Sequence, residues 1–203
     1  MYSKKVIIEG NVSSGKSTLI NYLKSKLEDC YILDSGFGLF HPNLDYNIIN
    51  YNNENPKEWT FLTQLTFMKL LEKLQNQEQN HSISIFNRSI HSVHHVFNKV
   101  YRNEKYMSYE EYKYLYLLYE KLKQRETTID LLIYFRSDPK VLETRATNNK
   151  FKQYIKKFQI YYDTLIDIFK LNTKIKKIYI IDSNKKKEEL TSDYDEILKI
   201  LLT

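Results

Sequence analysis

The chain has a single cysteine, Cys30, among its 203 residues. One thiol closes no disulfide within the chain and cannot by itself build a thiolate metal centre, so the sequence fits a reducing compartment. Long apolar runs are missing too. The N-terminal stretch MYSKKVIIEG reads as a strand entering a glycine loop, with no core of the kind a signal peptide needs. No segment has the length and apolarity of a membrane span, so a cytoplasmic protein without a membrane partner is expected. No linker and no internal repeat divides the chain, which makes one domain over residues 1–203 the natural reading. No nucleic-acid motif organises the 18 tyrosines and the lysine excess, and a nucleic-acid partner is not expected. The net charge of +6 favours anionic partners only weakly. Its densest run, Lys185 to Lys187, is followed at once by Glu188 and Glu189 and reads as a solvated turn. Glycine is the other scarcity: of four in all, Gly10 and Gly15 fall in one short stretch.

What is present alternates between two periods. Val6 to Ile8 is a short β-branched run, followed by the glycine loop and by a helical pattern from Ser17 to Leu27. Tyr31 to Leu33 is a second apolar run. Pro56 is suited to a helix start, and Trp59 to Leu74 carries helical spacing. Ser82 to Phe86 reads as strand, and Ser89 to Tyr101 and Tyr109 to Leu122 as helices. Asp130 to Phe135 is a nearly continuous apolar run of the kind found in a parallel strand covered on both faces. Residues 139–170 read as helical with a polar patch at 147–150, Lys177 to Asp182 as a last strand, and Glu188 to Leu202 as ending in a helix. Short strands separated by helices predict an α/β fold: an open, parallel five-stranded sheet flanked by helices.

Gly10-Asn11-Val12-Ser13-Ser14-Gly15-Lys16-Ser17-Thr18 matches the pattern G-x-x-x-x-G-K-[ST] between a predicted strand and a predicted helix. The inward-pointing N–H groups of such a loop form an anion nest, and the helix N-terminus behind it adds dipole and donors. Lys16 can reach between terminal phosphates, and the Ser17 hydroxyl can ligate a magnesium ion that those phosphates hold. This motif identifies a P-loop kinase-type phosphate binder and leaves the acceptor open.

Four segments extend the likeness. They are IEGNVSSGKST at the cradle, NPKEWTFLTQ from Asn55 to Gln64, NRSIHSVHHVF from Asn87 to Phe97, and DLLIYFRSDP from Asp130 to Pro139 with Arg145 beyond it. In order and approximate spacing the chain resembles the deoxynucleoside kinase family, which includes deoxycytidine, deoxyguanosine and mitochondrial thymidine kinases, an insect enzyme and viral relatives. The resemblance implies ATP as phosphate donor, magnesium, a deoxynucleoside acceptor, a homodimer, and a short helical lid at about residues 143–153. It matches Gln64 to the amide that reads the base edge, Phe97 to the aromatic that stacks on the base, and Trp59 to a helix anchor beside the pocket. Tyr51 matches the tyrosine at the sugar 3′-hydroxyl. Arg88 matches the arginine that approaches the 5′-oxygen and the transferred phosphoryl group, and Arg145 a lid arginine. The alternatives to these roles are a surface amide for Gln64, a core aromatic for Phe97 and a surface salt-bridge residue for Arg88.

The chain departs from that family at several positions. Where the family has a glutamate followed by proline as general base, this chain has Leu33-Asp34-Ser35, so Asp34 takes the role with a shorter reach, or caps the strand end. Asn87 stands where an acidic residue precedes the arginine. The lid stretch from Arg145 to Lys152 keeps one arginine, and lysine lacks its rigid fork. His94 stands in the place of another arginine. His91, His94 and His95 invite a zinc reading, but no fourth-ligand pattern accompanies them. Three functions therefore stay in play: ATP-dependent phosphorylation of a deoxynucleoside 5′-hydroxyl, with thymidine and deoxycytidine both plausible; a nucleoside monophosphate kinase such as a thymidylate kinase; and a catalytically degenerate nucleotide-binding module that engages a protein partner.

Overall fold

The computed structural model describes residues 3–33, 52, 54–76, 81–147, 152–186 and 188–203. Its strands are β1 (Lys4–Gly10), β2 (Cys30–Leu33), β3 (Ile83–Asn87), β4 (Leu131–Arg136) and β5 (Ile178–Asp182). They pair in the order β2-β3-β1-β4-β5, every pair parallel, which is the sheet the alternating pattern predicts. The helical elements are α1 (Lys16–Lys26), α2 (Pro56–Asn76), α3 (Ile90–Ser92), a π-helical turn π1 (Val93–Asn98), α4 (Lys99–Asn103), α5 (Tyr109–Gln124), α6 (Pro139–Arg145), α7 (Ile155–Lys170) and α8 (Leu190–Leu202). Among the described residues no helix is long and apolar enough to cross a membrane.

The strand period of two divides the core into two layers. On one face Ile7, Phe86, Leu132 and Tyr134 pack with Met68, Leu115, Phe158 and Tyr162 of the helices there. On the other, Val6, Ile8, Ile85, Leu131 and Ile133 pack with Leu19, Leu23 and Ile197 of α1 and α8. Val6, Ile7 and Ile8 are fully buried, each worth about 1.5–3 kcal/mol in transfer terms. Burial on both faces is why these strands read as unbroken apolar runs.

The helices start for different reasons. At α5, Ser108 Oγ accepts from Glu111 N (3.2 Å) while Ser108 N donates to Glu111 Oε2 (2.7 Å), a reciprocal cap. At α6, Pro139 opens the first turn and Asp138 Oδ1 accepts from Lys140 N at 2.7 Å. At α1 no side chain caps the start and no acidic residue occupies the first turn; Gly15 precedes it at φ 103°. The first turn of α1 therefore starts at the cradle with no side-chain acceptor for its N–H groups among the described residues.

Two expectations needed correction. The stretch 139–170 is not one helix: α6 ends at Arg145, where Ala146 turns to extended backbone at ψ 114°, and α7 begins at Ile155. The single helix expected from Ser89 to Tyr101 widens into π1. The wider turn brings consecutive side chains closer in angle, so two adjacent histidines both reach α5. The His94 ring stacks on Tyr119 at 4.4 Å between centroids, and His95 Nε2 lies 2.9 Å from Tyr119 Oη. His91 joins from one turn earlier, with Nδ1 2.9 Å from Tyr119 Oη and Nε2 at 3.0 and 3.1 Å from the two Glu126 oxygens. The histidines therefore staple two helices together. Among the described residues no group of three or more His, Cys, Asp or Glu side chains could hold a metal ion.

Burial, with the neighbouring His95, Lys99 and His91, lowers the His94 pKa to about 3. Burial, with Lys99, His91 and Lys123, lowers that of His95 to about 4. Both are neutral in the folded protein at pH values where the unfolded chain, with a histidine pKa near 6.5, takes up protons. Stability is therefore retained above about pH 6.5 and lost as the pH falls below it, by up to about 1.4 kcal/mol per pH unit for each histidine. Urea titrations at pH 7, 6 and 5 will show this slope, and His94→Gln will flatten it relative to the wild type.

Gly10 ends β1 at φ 143°. A Cβ there would lie 2.9 Å from Phe135 Cβ and 3.0 Å from Phe135 O, both on the adjacent strand β4, so neither can move aside cheaply. Gly10→Ala is expected to lower unfolding free energy by roughly 2–4 kcal/mol, from left-handed strain and overpacking together, as read from denaturant midpoints.

Candidate active site

The carboxyl ends of β1 and β3 lie side by side, with Ile8 in register with Asn87. Sites in open parallel sheets form at this edge, where chains leave toward opposite faces. From β1 the chain turns at Gly10 into the cradle. Ser13 adopts φ 62° and Gly15 φ 103°, and this alternation curls the backbone around a cleft of about 240 Å³. Ser13, Ser14, Gly15, Lys16, Ser17, Thr18 and Arg145 line it. The structure thus brings together a motif and an arginine more than a hundred residues apart in the chain. Ser17 and Thr18 are exposed.

The cradle is held in shape by its own side chains and by α7. Asn11 Oδ1 accepts from Val12 N (2.7 Å), while Asn11 Nδ2 donates to Ile155 O (2.9 Å) and Gln159 Oε1 (3.1 Å). Asn11, expected among the nucleotide-binding residues, uses its side chain to pin the loop to α7. Val12 packs against the core. Lys16 Nζ donates to Gly10 O (2.9 Å), Asn11 O (2.6 Å) and Ser14 Oγ (3.4 Å), so its charge is parked on the loop it serves.

Arg88 follows β3. Its N–H donates to Ile8 O at 2.9 Å, and its φ of 83° is in the left-handed region, at a cost of about 1–3 kcal/mol for a non-glycine residue. Such strain persists only where the surroundings impose it. Here Arg88 Nη1 donates to Tyr162 Oη of α7, and the guanidinium lies 4.6 Å from the centre of the Phe97 ring. Burial pushes the Tyr162 hydroxyl up from its ordinary pKa, against the pull of Arg88, so it serves as a neutral acceptor. Phe97 itself belongs to the core: it is 8% exposed and lies 4.8 Å from the Phe158 ring. Of the two readings of Phe97, the structure meets that of a core aromatic, with the Arg88 guanidinium over its ring.

Beside Arg88, the fully buried Glu9 accepts from Ser89 N (2.8 Å) and Ser89 Oγ (2.6 Å) through Oε1. Burial pushes the Glu9 carboxyl above its ordinary value, against hydrogen bonds from Ser89 and Ser92 and the charges of Arg88 and Lys16. Asn87, at the end of β3, is buried and neutral.

The acceptor side is partly described. Gln64 is 4% exposed on α2, which removes the surface-amide reading, and Trp59 lies half-buried earlier on the same helix. Helix α2 runs along π1, where Asn98 Nδ2 approaches Met68 Sδ at 3.8 Å. Asp34, Tyr51 and lid residues 148–151 lie outside the described residues. His94 faces α5 and packs with Tyr112, Tyr116 and Tyr119. Arg145, expected to reach over phosphates, is anchored by Nη1 to Ser183 O (2.6 Å) and by Nη2 to Lys185 O (3.2 Å) while it lines the cleft. Sequence reasoning missed Tyr162, Gln159 and Ser183. Nothing in their local sequence sets them apart, because their roles come from contacts made across the sheet edge.

The comparisons agree with this geometry. The family model described as "Deoxynucleoside kinase" matches residues 6–200. The chain is also 27% identical, over 153 residues, to a probable deoxycytidine kinase of fowlpox virus (strain NVSL). That alignment covers 71% of this chain and 61% of the viral protein's length. With the cradle, the arginine after β3 and nearly the whole sheet inside the matched span, the chain belongs to the deoxynucleoside kinase family.

Proposed function

We propose that this protein transfers a phosphoryl group from ATP, with magnesium, to the 5′-hydroxyl of a deoxynucleoside. The observation that carries the reading is the convergence at one sheet edge of the uncapped cradle, Lys16, Arg88 and Arg145. Such transfer depends chiefly on positioning and on neutralising charge, which these groups supply.

The residues present fit the donor. The cradle curls around a cleft of about 240 Å³, and Lys16 Nζ contacts the oxygens of Gly10, Asn11 and Ser14, which phosphate oxygens would replace. Ser17, an exposed residue, would hold magnesium through its hydroxyl together with the phosphates. Bound ATP–magnesium would supply the electrophilic phosphoryl group. Arg145 would screen charge on the cleft side, and Arg88 on the acceptor side. Gln64 would read the base edge with a donor and an acceptor from one amide. Asp34, the residue after Leu33 in the chain, would take the 5′-hydroxyl proton, and Tyr51 would approach the 3′-hydroxyl.

Transfer from γ-labelled ATP to the deoxynucleosides, the ribonucleosides and the deoxynucleoside monophosphates tests this directly. A labelled deoxynucleoside 5′-monophosphate is expected, and the preferred base among thymidine and deoxycytidine follows from the same panel. Lys16→Ala and Arg88→Ala are each expected to lower kcat on the order of 100-fold or more. Label confined to the monophosphate acceptors would make the protein a monophosphate kinase. ATP binding with no labelled acceptor would make it a nucleotide-binding module.

We also propose the homodimer that the family resemblance implies, with α2 and α5 at the contact. Leu62, Tyr114 and Leu117 are exposed there among the described residues, and the Phe61 and Tyr114 rings join the two helices at 5.9 Å. Sedimentation is expected to show a dimer that Leu117→Lys dissociates; a monomeric wild type at micromolar concentration would refute the arrangement.

A further inference from the structure

Arg88 is held in a strained turn, and the structure shows what holds it. Strand β1 supplies both restraints: the Ile8 carbonyl takes the Arg88 N–H at 2.9 Å, and Glu9 Oε1 takes the N–H and the hydroxyl of Ser89 at 2.8 and 2.6 Å. Ser89 is the residue from which α3 starts, and Ser92 Oγ closes the same turn onto Ser89 O at 3.1 Å. Two hydrogen bonds from one residue to one carboxylate oxygen fix the backbone at the position after the arginine, and so restrict the direction in which the arginine leaves the chain.

Glu9 is poorly placed to act on a substrate. It is fully buried, and by strand alternation it lies on the Ile7 face of the sheet, opposite Tyr134 in the pairing of β1 with β4. Its second oxygen, Oε2, is buried with no hydrogen-bond partner among the described residues. It does sit one residue before Gly10, where the cradle begins. The guanidinium that this turn aims is seated on Phe97 and against Tyr162.

We propose that Glu9 is a positioning residue for Arg88: its carboxylate locks the Arg88–Ser89 turn to β1 and thereby keeps the guanidinium in register with the phosphate cradle. Its catalytic consequence rests on the kinase reading; the positioning itself does not. The acidic side chain matters here as a hydrogen-bond acceptor, so glutamine, whose amide oxygen can accept from Ser89, preserves most of the function. Alanine does not.

The test uses the full chain and two readouts. In steady-state kinetics Glu9→Ala is expected to lower kcat on the order of 100-fold, as misplacement of a reacting group does. The KM for ATP should stay within about threefold, because the cradle itself is intact, while Glu9→Gln stays within roughly tenfold of the wild-type kcat. Independently of activity, the Arg88 side-chain Nε–H resonance, assigned by its loss in Arg88→Lys, should be dispersed and slow to exchange in the wild type and in Glu9→Gln. It should collapse to the solvent-exposed position in Glu9→Ala. An unchanged Arg88 resonance in Glu9→Ala, or a Glu9→Ala kcat within threefold of wild type, overturns the proposal. If the wild type phosphorylates no nucleoside, the kinase reading fails while the resonance still decides the positioning. Should Glu9→Ala fail to fold, Ser89→Ala, which removes one of the two donors, must shift the same resonance; no shift refutes the inference.

Discussion

The close approach of β1 to β4 at Gly10 is the constraint on which the site depends. A strand buried on both faces must end somewhere, and here it ends by turning so near Phe135 that no side chain fits. That turn starts the cradle, and the cradle leads straight into α1 without a capping side chain. The cradle is therefore a direct result of how the central strand stops. Asn11 then ties the loop to Ile155 and Gln159, which fixes the cradle relative to the helix that also carries Tyr162.

Helix α7 thus serves two ends of the site. Through Gln159 and the Ile155 carbonyl it restrains the phosphate loop, and through Tyr162 it holds Arg88. Arg88 gains from Tyr162 a hydrogen bond and from Phe97 a cation–π contact worth roughly 0.5–2 kcal/mol, comparable to the strain at its backbone. A positive charge that would otherwise sweep a wide volume is kept at the edge of the sheet. Similarly, Arg145 is moored to the carbonyls of Ser183 and Lys185 and still faces the cleft. Arg88 and Arg145 are each tethered by neutral groups, a tyrosine hydroxyl and backbone carbonyls, which orient them.

Much of this was legible in the chain because it is local. A buried parallel strand announces itself as a β-branched run, as Val6 to Ile8 and Leu131 to Phe135 do. The cradle announces itself because its geometry demands glycine at set positions and a lysine beside them. Other features were hidden because they depend on partners far away. The π-helical widening at Val93–Asn98 accompanies contacts of His94 and His95 with the distant Tyr119, and the sequence from Ser89 to Tyr101 carries helical spacing with no breaker to mark it. The division between α6 and α7 was visible only as a polar patch. His94, in the place of a family arginine, proved to be a staple to α5.

By itself the sequence determined the glycine-lysine loop, the parallel sheet and the identity of the groups that carry charge, since each follows from residue type and spacing over a few positions. Tertiary structure alone decided where those charges point. Glu9 became an internal acceptor because β1 pairs with β3 in a register that sets Ile8 beside Asn87 and so brings Ser89 within reach. Phe97 became a platform for Arg88 because α7 supplies Phe158 and Tyr162 around it. The physical reason is that hydrogen bonds and ring contacts act over a few ångströms in space, and the segments that meet in this site are up to a hundred and more residues apart along the chain.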